Sequence, residues 1–447
     1  MKLIKIITFT SALIFVACKK APSRTGETTR AIDTNKYQCD HILYDSSHSE
    51  NSKPVKGLVW SKFLTKTDSN NLFYPPKIIG NYVLFVSRTD PVYEKEIFYL
   101  RDKSTGDLLW KYIPECKNEL TNNGDFWLRT VGDFGIVKMG NHIEVLDFKN
   151  KASKFCIKPD YGYKLASGIE IIGDYIYTSQ VKIKSREFDS VTFIRFNYYN
   201  GNREYLFSHR KTNITYNFLL TSTGTYALNA NGDSIVHFRV TDMKLDKSDD
   251  RLKIMGLNLR TKKPEWESQN LDSIRYFDDE YCNSLVNGLI IITSTRKVYG
   301  LDPITGEVKW QFEMESNNNR IDACCGGTCY FDKYFLFRTM ENELYCLDVT
   351  NGKLKYKLND LGFLSGSFKQ YDGVAYFAND DMIAIDIPTG KLLGTCPIPS
   401  MWLCPNDIFS MANGIRSVVM DPKTGYIYSA DRTRAFCMKN PLKRAKK

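Results

Sequence analysis

Residues 297–313, KVYGLDPITGEVKWQFE, place Val298, Gly300 and Asp302 on one side of an extended run and Tyr299 and Leu301 on the other. The run reverses through Pro303, Thr305 and Gly306 into a second alternating stretch at 308–312. Period-two alternation broken by turn residues predicts strand, turn, strand. The unit returns at 345–358 (YCLDVTNGKLKYKL), 384–394 (AIDIPTGKLLG) and 98–112 (FYLRDKSTGDLLWKY). A hairpin this small cannot bury a core by itself, so its repetition implies a stacked or radial architecture.

Each part of the unit has a mechanical reason. Glycine at the turn accepts positive φ at little steric cost. Asp or Asn just before it can hydrogen-bond the turn backbone. An aromatic four residues after the turn position puts a large flat side chain at a fixed place on the outer strand. The offset runs from Gly106 to Trp110, Lys151 to Phe155, Gly201 to Tyr205, Lys262 to Trp266, Gly306 to Trp310 and Gly352 to Tyr356. Gly390 to Gly394 keeps the turn but lacks the aromatic.

Counting inner-to-outer runs predicts eight sheets, at 75–113, 127–157, 165–208, 214–268, 279–313, 322–358, 365–397, and 414–439 together with 57–63. Two inner strands precede each signature hairpin, as in NSLVNG and LIIITS at 283–294. The last sheet is assembled from both ends of the chain. GLVWSKF at 57–63 aligns with GEVKWQF at 306–312, which puts Trp60 in the outer-strand register without inner strands of its own. The C-terminal segment offers strands at 417–421, 426–430 and 434–439 and no fourth. The expected fold is therefore all-β: an eight-bladed β-propeller of four-stranded antiparallel blades, its ring closed by the N-terminal strand so that no edge stays open. Two inserts interrupt the pattern, a charged loop at 242–250 and VKIKSREFDS at 181–190.

The unit resembles the repeat of the pyrroloquinoline-quinone-like β-propellers, over nearly the whole chain after residue 55 and most clearly at 297–313 and 345–358. In that family the repeat aromatic stacks on the neighbouring blade, which gives Trp60, Trp110, Trp266, Trp310 and Tyr356 a structural docking role. Two branches matter. One consists of lipoproteins similar to the barrel-assembly scaffold of the bacterial outer membrane. The other, the quinoprotein dehydrogenases, implies a quinone sandwich, a Ca²⁺ site of carboxylate and amide oxygens, and a catalytic Asp. Adjacent cysteines form a disulfide ring over the cofactor in some of those enzymes, and Cys324-Cys325 in DACCGGTCY invites that comparison. No matching carboxylate constellation is present in the sequence, and the short blades leave little chain for an active-site roof.

The N-terminus changes the picture from a fold to an address. Lys2 and Lys5, an apolar stretch at 6–16 and then FVAC make residues 1–17 a secretory signal, too short for a stable membrane span. The sequence around Cys18 resembles the lipobox of bacterial lipoproteins, in which the signal is cut before the cysteine and the cysteine carries the lipid. The alternative is an ordinary signal with an incidental thiol. Acylation of Cys18 would hold the protein at a membrane. Residues 18–54 then form a polar tether and 55–447 the propeller.

Composition adds less. The chain has 447 residues, 43% hydrophobic and 13% aromatic, with a formal net charge of +10 partly concentrated at its two ends. Basic ends are solvated or meet anionic lipid headgroups, and no nucleic-acid motif is present. Twelve cysteines in an exported chain permit disulfides without fixing their pairing. Cys324 or Cys325 with Cys329, across Gly326-Gly327, is one candidate bridge, and Cys396 with Cys404 another; free thiols are the alternative. Cys346 and Cys437 take the repeat position of Gly300, as small buried side chains. The five histidines are scattered, and HExxH, GxSxG and Walker patterns are absent. His237, alternating on a strand, reads as a packed or edge residue. No catalytic residue, cofactor or metal is assigned.

The expectation is an exported, lipid-anchored, monomeric propeller on the periplasmic side of the outer membrane. It would bind envelope proteins and perform no catalysis. A quinone-dependent dehydrogenase, or another enzyme using the axial pocket, is the alternative.

Overall fold

The repeated local event is an Asx turn. Asp102 Oδ1 accepts hydrogen bonds from the backbone N–H groups of Ser104 (2.8 Å) and Thr105 (2.9 Å), and the N–H of Gly106 donates to Asp102 O at 2.9 Å. This closure leaves Gly106 at φ +73°. The same backbone bond closes 197–201, 258–262, 302–306, 348–352, 386–390 and 421–425. Lys151 and Lys262 adopt φ +55° and +59° at the position glycine holds elsewhere. The Asp or Asn side chain thus satisfies the turn backbone, and the strands on either side are free to pair.

In the computed structural model the paired strands form eight antiparallel sheets arranged as a β-propeller. The structure describes residues 58–64, 72–89, 95–116, 126–165, 169–184, 187–210, 216–217, 226–242, 251–273, 283–315, 320–321, 327–359, 365–378, 381–397, 419–430 and 434–440. All lie in one unit, Tyr37–Lys447, and none of them is helical. In blades 1–7 the inner strands beside the first turn are Leu72–Ile79, Phe126–Val131, Glu170–Ile172, Tyr226–Leu228, Asn283–Val286, Thr328–Phe331 and Ser365–Tyr371. Blade 8 consists of Val419–Met420, Ile427–Ala430, Arg434–Met438 and, as its outer strand, Leu58–Phe63. The N-terminal strand closes the ring, with Trp60 opposite Cys437 and Phe63 opposite Arg434.

Two details depart from the expected plan. Blades 3 and 4 add short strands to the four-stranded core, giving five and six. The 181–190 insert lengthens the strands: Tyr175–Lys184 and Glu187–Asn197 run on, paired as far as Lys184 opposite Glu187. The charged 243–250 insert lies outside the described residues, between the paired Asp242 and Arg251.

A β-bulge aims the outer-strand aromatic. In blade 5, Leu301 pairs with Val308 and Gly300 with Trp310, one residue being skipped between them. The same bulge stands before Trp110, Phe155, Trp266, Tyr356 and Trp60. An extra residue in one strand bends it and re-aims the side chain that follows. Trp310 lies between Gly300 of its own blade and Gly352 of the next, and a Cβ at either glycine would collide with the indole. Trp266 is held in the same way between Gly256 and Gly306, and Tyr356 lies against Gly390. For Trp110 the corresponding turn of the next blade has Lys151 in place of glycine; Trp110 stacks on Tyr112 (4.8 Å) and meets Phe148 edge-on at 6.3 Å.

Tyr205 is the exception. The bulge of blade 3 falls two residues further along, between Phe193 and Ile194, so Tyr205 pairs with Ile194. Its ring is half exposed and its hydroxyl donates to Asp160. The joint to blade 4 is ionic instead, with Glu204 bound by Arg195 and by Lys262 at 3.0 Å.

Candidate functional site

The face of the ring that carries the Asx turns also carries the turns joining first and second strands. The two lie side by side through backbone bonds such as Lys103 N–H to Asn81 O, Val349 N–H to Lys333 O and Ile387 N–H to Gly373 O. Just inside this face, register identifies one equivalent position on seven of the eight inner strands, that of blade 4 lying outside the described residues. Lys77 pairs with Leu84, Arg129 with Ile136, Glu170 with Tyr177, Ser284 with Ile291, Cys329 with Leu336, Lys369 with Tyr376 and Val419 with Tyr428. Inner strands of neighbouring blades touch around the axis, blade 7 to 8, 8 to 1, 1 to 2 and 2 to 3. Lys369, Val419, Lys77, Arg129 and Glu170 therefore follow one another at a single level.

Three of those five residues are cations. Arg129 Nη2 donates to Glu170 Oε1 at 3.2 Å, and the guanidinium sits 5.7 Å from the centre of the Trp127 ring. Arg129 Nε is buried without an acceptor. Burial, and next the Arg129 charge, hold the Lys77 ammonium below its usual range. Burial and the Lys77 charge bring Lys369 down to about 8. Burial raises the Glu170 carboxyl, opposed by Arg129. Both lysines are half-buried in surface terms yet strongly desolvated, as expected of side chains surrounding a narrow axial space. Chemically the arc attracts oxyanions. A Ca²⁺ site needs six to eight oxygen ligands, and among the described residues no three His, Cys, Asp or Glu side chains stand together as a metal group.

The sequence reading did not single out these four charged residues. The available signal was positional: Lys77, Arg129 and Glu170 each lie three residues before a positive-φ turn glycine, and Lys369 three before Asp372.

The residues it did single out lie elsewhere. The docking aromatics are on outer strands, away from the axis. Trp60 Nε1 donates to Lys103 O (3.0 Å), Trp310 Nε1 to Val349 O (2.9 Å) and Tyr356 OH to Ile387 O (2.7 Å). Each acceptor is the residue after the Asx aspartate of the next blade. At Trp266 the matching acceptor, Pro303 O, is taken by His237 Nε2 at 2.8 Å, and Trp266 Nε1 is buried without a partner. A carbonyl only accepts, so His237 carries its proton on Nε2, with a bare, buried Nδ1. His237 is a fully buried joint residue. Cys346 and Cys437 are buried thiols paired with Tyr356 and Trp60, as Gly300 is with Trp310.

Cys329 is buried on an inner strand. Cys18, Cys324, Cys325 and Cys404, and the side chain of Cys396, lie outside what is described. The disulfide seen is one the sequence reading did not pair: Cys116, just after blade 1, with Cys156 on the outer strand of blade 2, Cα atoms 5.8 Å apart.

No protein-family profile matches the chain, and no curated protein matches it in sequence. Solved structures do share its fold. BamB from Moraxella catarrhalis superposes with a TM-score of 0.51 at 11% identity, over 86% of this chain and 99% of that one. The quinohemoprotein alcohol dehydrogenase ADHIIG from Pseudomonas putida HK5 gives 0.56 at 11% identity, over 88% and 77%. A europium-containing methanol dehydrogenase gives 0.54 at 13%, over 86% and 93%. What the chain has in common with these structures is the β-propeller fold.

Proposed function

We propose that the protein is a non-catalytic binding or assembly scaffold of the bacterial cell envelope, exported and held at the membrane by a lipid on Cys18. The observation that carries the reading is the make-up of the axial position, where an enzyme of this fold would be expected to hold its cofactor and metal. There the chain places Lys369, Lys77 and Arg129, and the arc's single carboxylate, Glu170, is already engaged by Arg129. That set does not supply the oxygen cage of a divalent or lanthanide cation. Fold likeness at 11% identity favours neither BamB nor the dehydrogenases; the site residues carry the distinction.

Export is supported by the Cys116–Cys156 bridge, since disulfides persist in oxidising compartments. A rigid ring presenting many loops on two faces suits protein contact. Crosslinking in native membranes, followed by identification of the attached proteins, tests the reading directly. Purified protein that gains a quinone absorbance band and alcohol oxidation when supplied with quinone and Ca²⁺ would overturn it.

A further inference from the structure

The face opposite the Asx turns carries a charge pattern that the ring itself does not need. In blade 2 the strand His142–Asp147 runs from the Gly140–Asn141 turn on this face to the Asx turn at Asp147. The link from blade 2 to blade 3, residues 158–164 (KPDYGYK), lies beside the first of these turns. Ile157 pairs with Ile143 where the link begins, and Leu165 N–H donates to Asn141 Oδ1 at 2.5 Å where it ends. Burial, and next the Lys158 charge, lower the His142 imidazole, so the Lys158 ammonium stands near the same turn.

The link keeps its acid and shows its bases. Asp160, its one carboxylate, accepts from Arg203, from Gln180 Nε2 and from Tyr205 OH, the last at 3.0 Å from either oxygen. Tyr161, the next residue, is fully exposed. Lys158 and Lys164 are exposed, and so is Lys182, which pairs with Tyr163 and holds Nζ 5.8 Å from the centre of that ring. None of these three lysines has a carboxylate partner among the described residues. A single exposed tyrosine would mean little. Here it is surrounded by unpaired cations, and the acid that could have neutralised one of them is engaged elsewhere.

We propose that this patch, on the rim of blades 2 and 3, rests on an anionic lipid surface. Charge complementarity identifies the occupant: a lysine near an anionic leaflet is attracted to it, and three act together. Tyrosine suits the boundary between headgroups and acyl chains, with an apolar ring and a wet hydroxyl. A protein interface is built around a packed core of large side chains, whereas this patch offers one fully exposed ring among charges. The inference deepens the envelope reading, because it gives the ring an orientation at the membrane. The patch does not require a lipid on Cys18.

The test uses the full chain carrying Cys18→Ser, so that no acyl group contributes. Its co-sedimentation with vesicles of phosphatidylglycerol and phosphatidylcholine is compared with that on phosphatidylcholine alone, at low and high salt. We expect preference for the anionic vesicles, lost at high salt, and slowed amide exchange at 158–165 on those vesicles. Lys158→Gln, Lys164→Gln and Lys182→Gln should each weaken binding about fivefold, and Tyr161→Ser should weaken it too. All four should melt as wild type, because the side chains are exposed. No preference for anionic vesicles, wild-type binding by the triple lysine variant, or an exchange footprint elsewhere on the ring would each overturn the proposal. Protection of 158–165 by soluble polyglutamate and not by vesicles would also overturn it, assigning the patch to an acidic protein. The exchange footprint is read on a chain with its lysines intact, so the test does not depend on the variants. A mature N-terminus other than Cys18 would sink the lipid anchor and leave these outcomes unaffected.

Discussion

Trp60→Ala probes whether the N-terminal strand holds the ring shut. The indole is 6% exposed, and a Cβ at Gly106 of blade 1 would come within 2.5 Å of it. It packs on Phe85 (6.3 Å) and Tyr428 (6.0 Å), and Nε1 donates to Lys103 O. The same seam holds Lys103 Nζ against the buried Asp421 carboxylate at 2.9 Å and Arg101 Nη2 against Phe63 O at 2.5 Å. Truncating a buried aromatic to Ala costs about 3–5 kcal/mol. At about 2.1 cal/mol/K per residue, a body of this size loses ~1 °C per kcal/mol, so melting should fall by ~3–5 °C. Trp60→Phe keeps a ring and loses the hydrogen bond, about 1 kcal/mol. The distinguishing readout is local. Trp310 lies in a blade whose strands are all joined by hairpins, whereas the strand bearing Trp60 is held only by pairing and packing. Trp60→Ala should therefore speed amide exchange at 434–438 before the rest of the ring opens, and Trp310→Ala should not. Wild-type melting and unchanged exchange at 434–438 would refute the closure argument. So would equal melting temperatures for chains truncated before residue 55 and after Phe63.

Burial holds His237 below its ordinary value of 6.5, so on acidification the unfolded chain takes up a proton that the native imidazole refuses. Wild type should therefore lose stability relative to His237→Leu as pH falls below about 6.5, down to the native value; at pH 7.5 the Leu variant should be within about 1 kcal/mol of wild type, because Trp266 Nε1 regains Pro303 O. Parallel pH–melting curves for the two proteins would exclude this. Removing the Cys116–Cys156 bridge with Cys156→Ser should cost about 3–4 kcal/mol from loop-closure entropy and make the variant insensitive to reductant, in contrast to wild type. Cys18→Ser should release the protein from the membrane without changing its melting temperature, and a mature N-terminus other than Cys18 would sink the anchor.

Much of the fold was legible because its determinants are local. Asp102, Thr105 and Gly106 make an Asx turn from adjacent residues, and period-two alternation fixes which side chains point inward. Lys151 and Lys262 were recognisable as turn residues only through the spacing of their neighbours. The bulge of blade 3 was not legible, since its placement is settled by pairing across strands, and Tyr205 was assigned a register it does not hold. The disulfide was missed for a similar reason: Cys116 and Cys156 are 40 residues apart and meet only through ring geometry. The axial charges were hidden because each is one charged residue on its own strand, and the ring alone brings them together.

Blade 7 explains what the repeated aromatics are for. It carries Gly394 where its neighbours carry Trp or Tyr, paired with Ala384 across the same bulge. At Trp60, Phe155, Trp266, Trp310 and Tyr356 the side chain at this position covers the Asx turn between the third and fourth strands of the next blade. Blade 8 has no such turn, because Arg434–Met438 and Leu58–Phe63 come from opposite ends of the chain. Its Asx sequence, 421–425, joins the first and second strands instead, and a Cβ at Gly425 would lie 2.6 Å from Tyr371, on the inner strand of blade 7. The space at the missing turn is bridged differently, by Asn440 Nδ2 donating to Tyr376 OH at 2.8 Å. An aromatic kept to bind a ligand or partner has no reason to disappear beside the blade that lacks the turn; one kept to cap the turn does. The features shared by the blades therefore belong to architecture. What differs between the described blades is the axial sequence of Lys, Arg, Glu, Ser, Cys and Val, and that is where a binding role is to be sought.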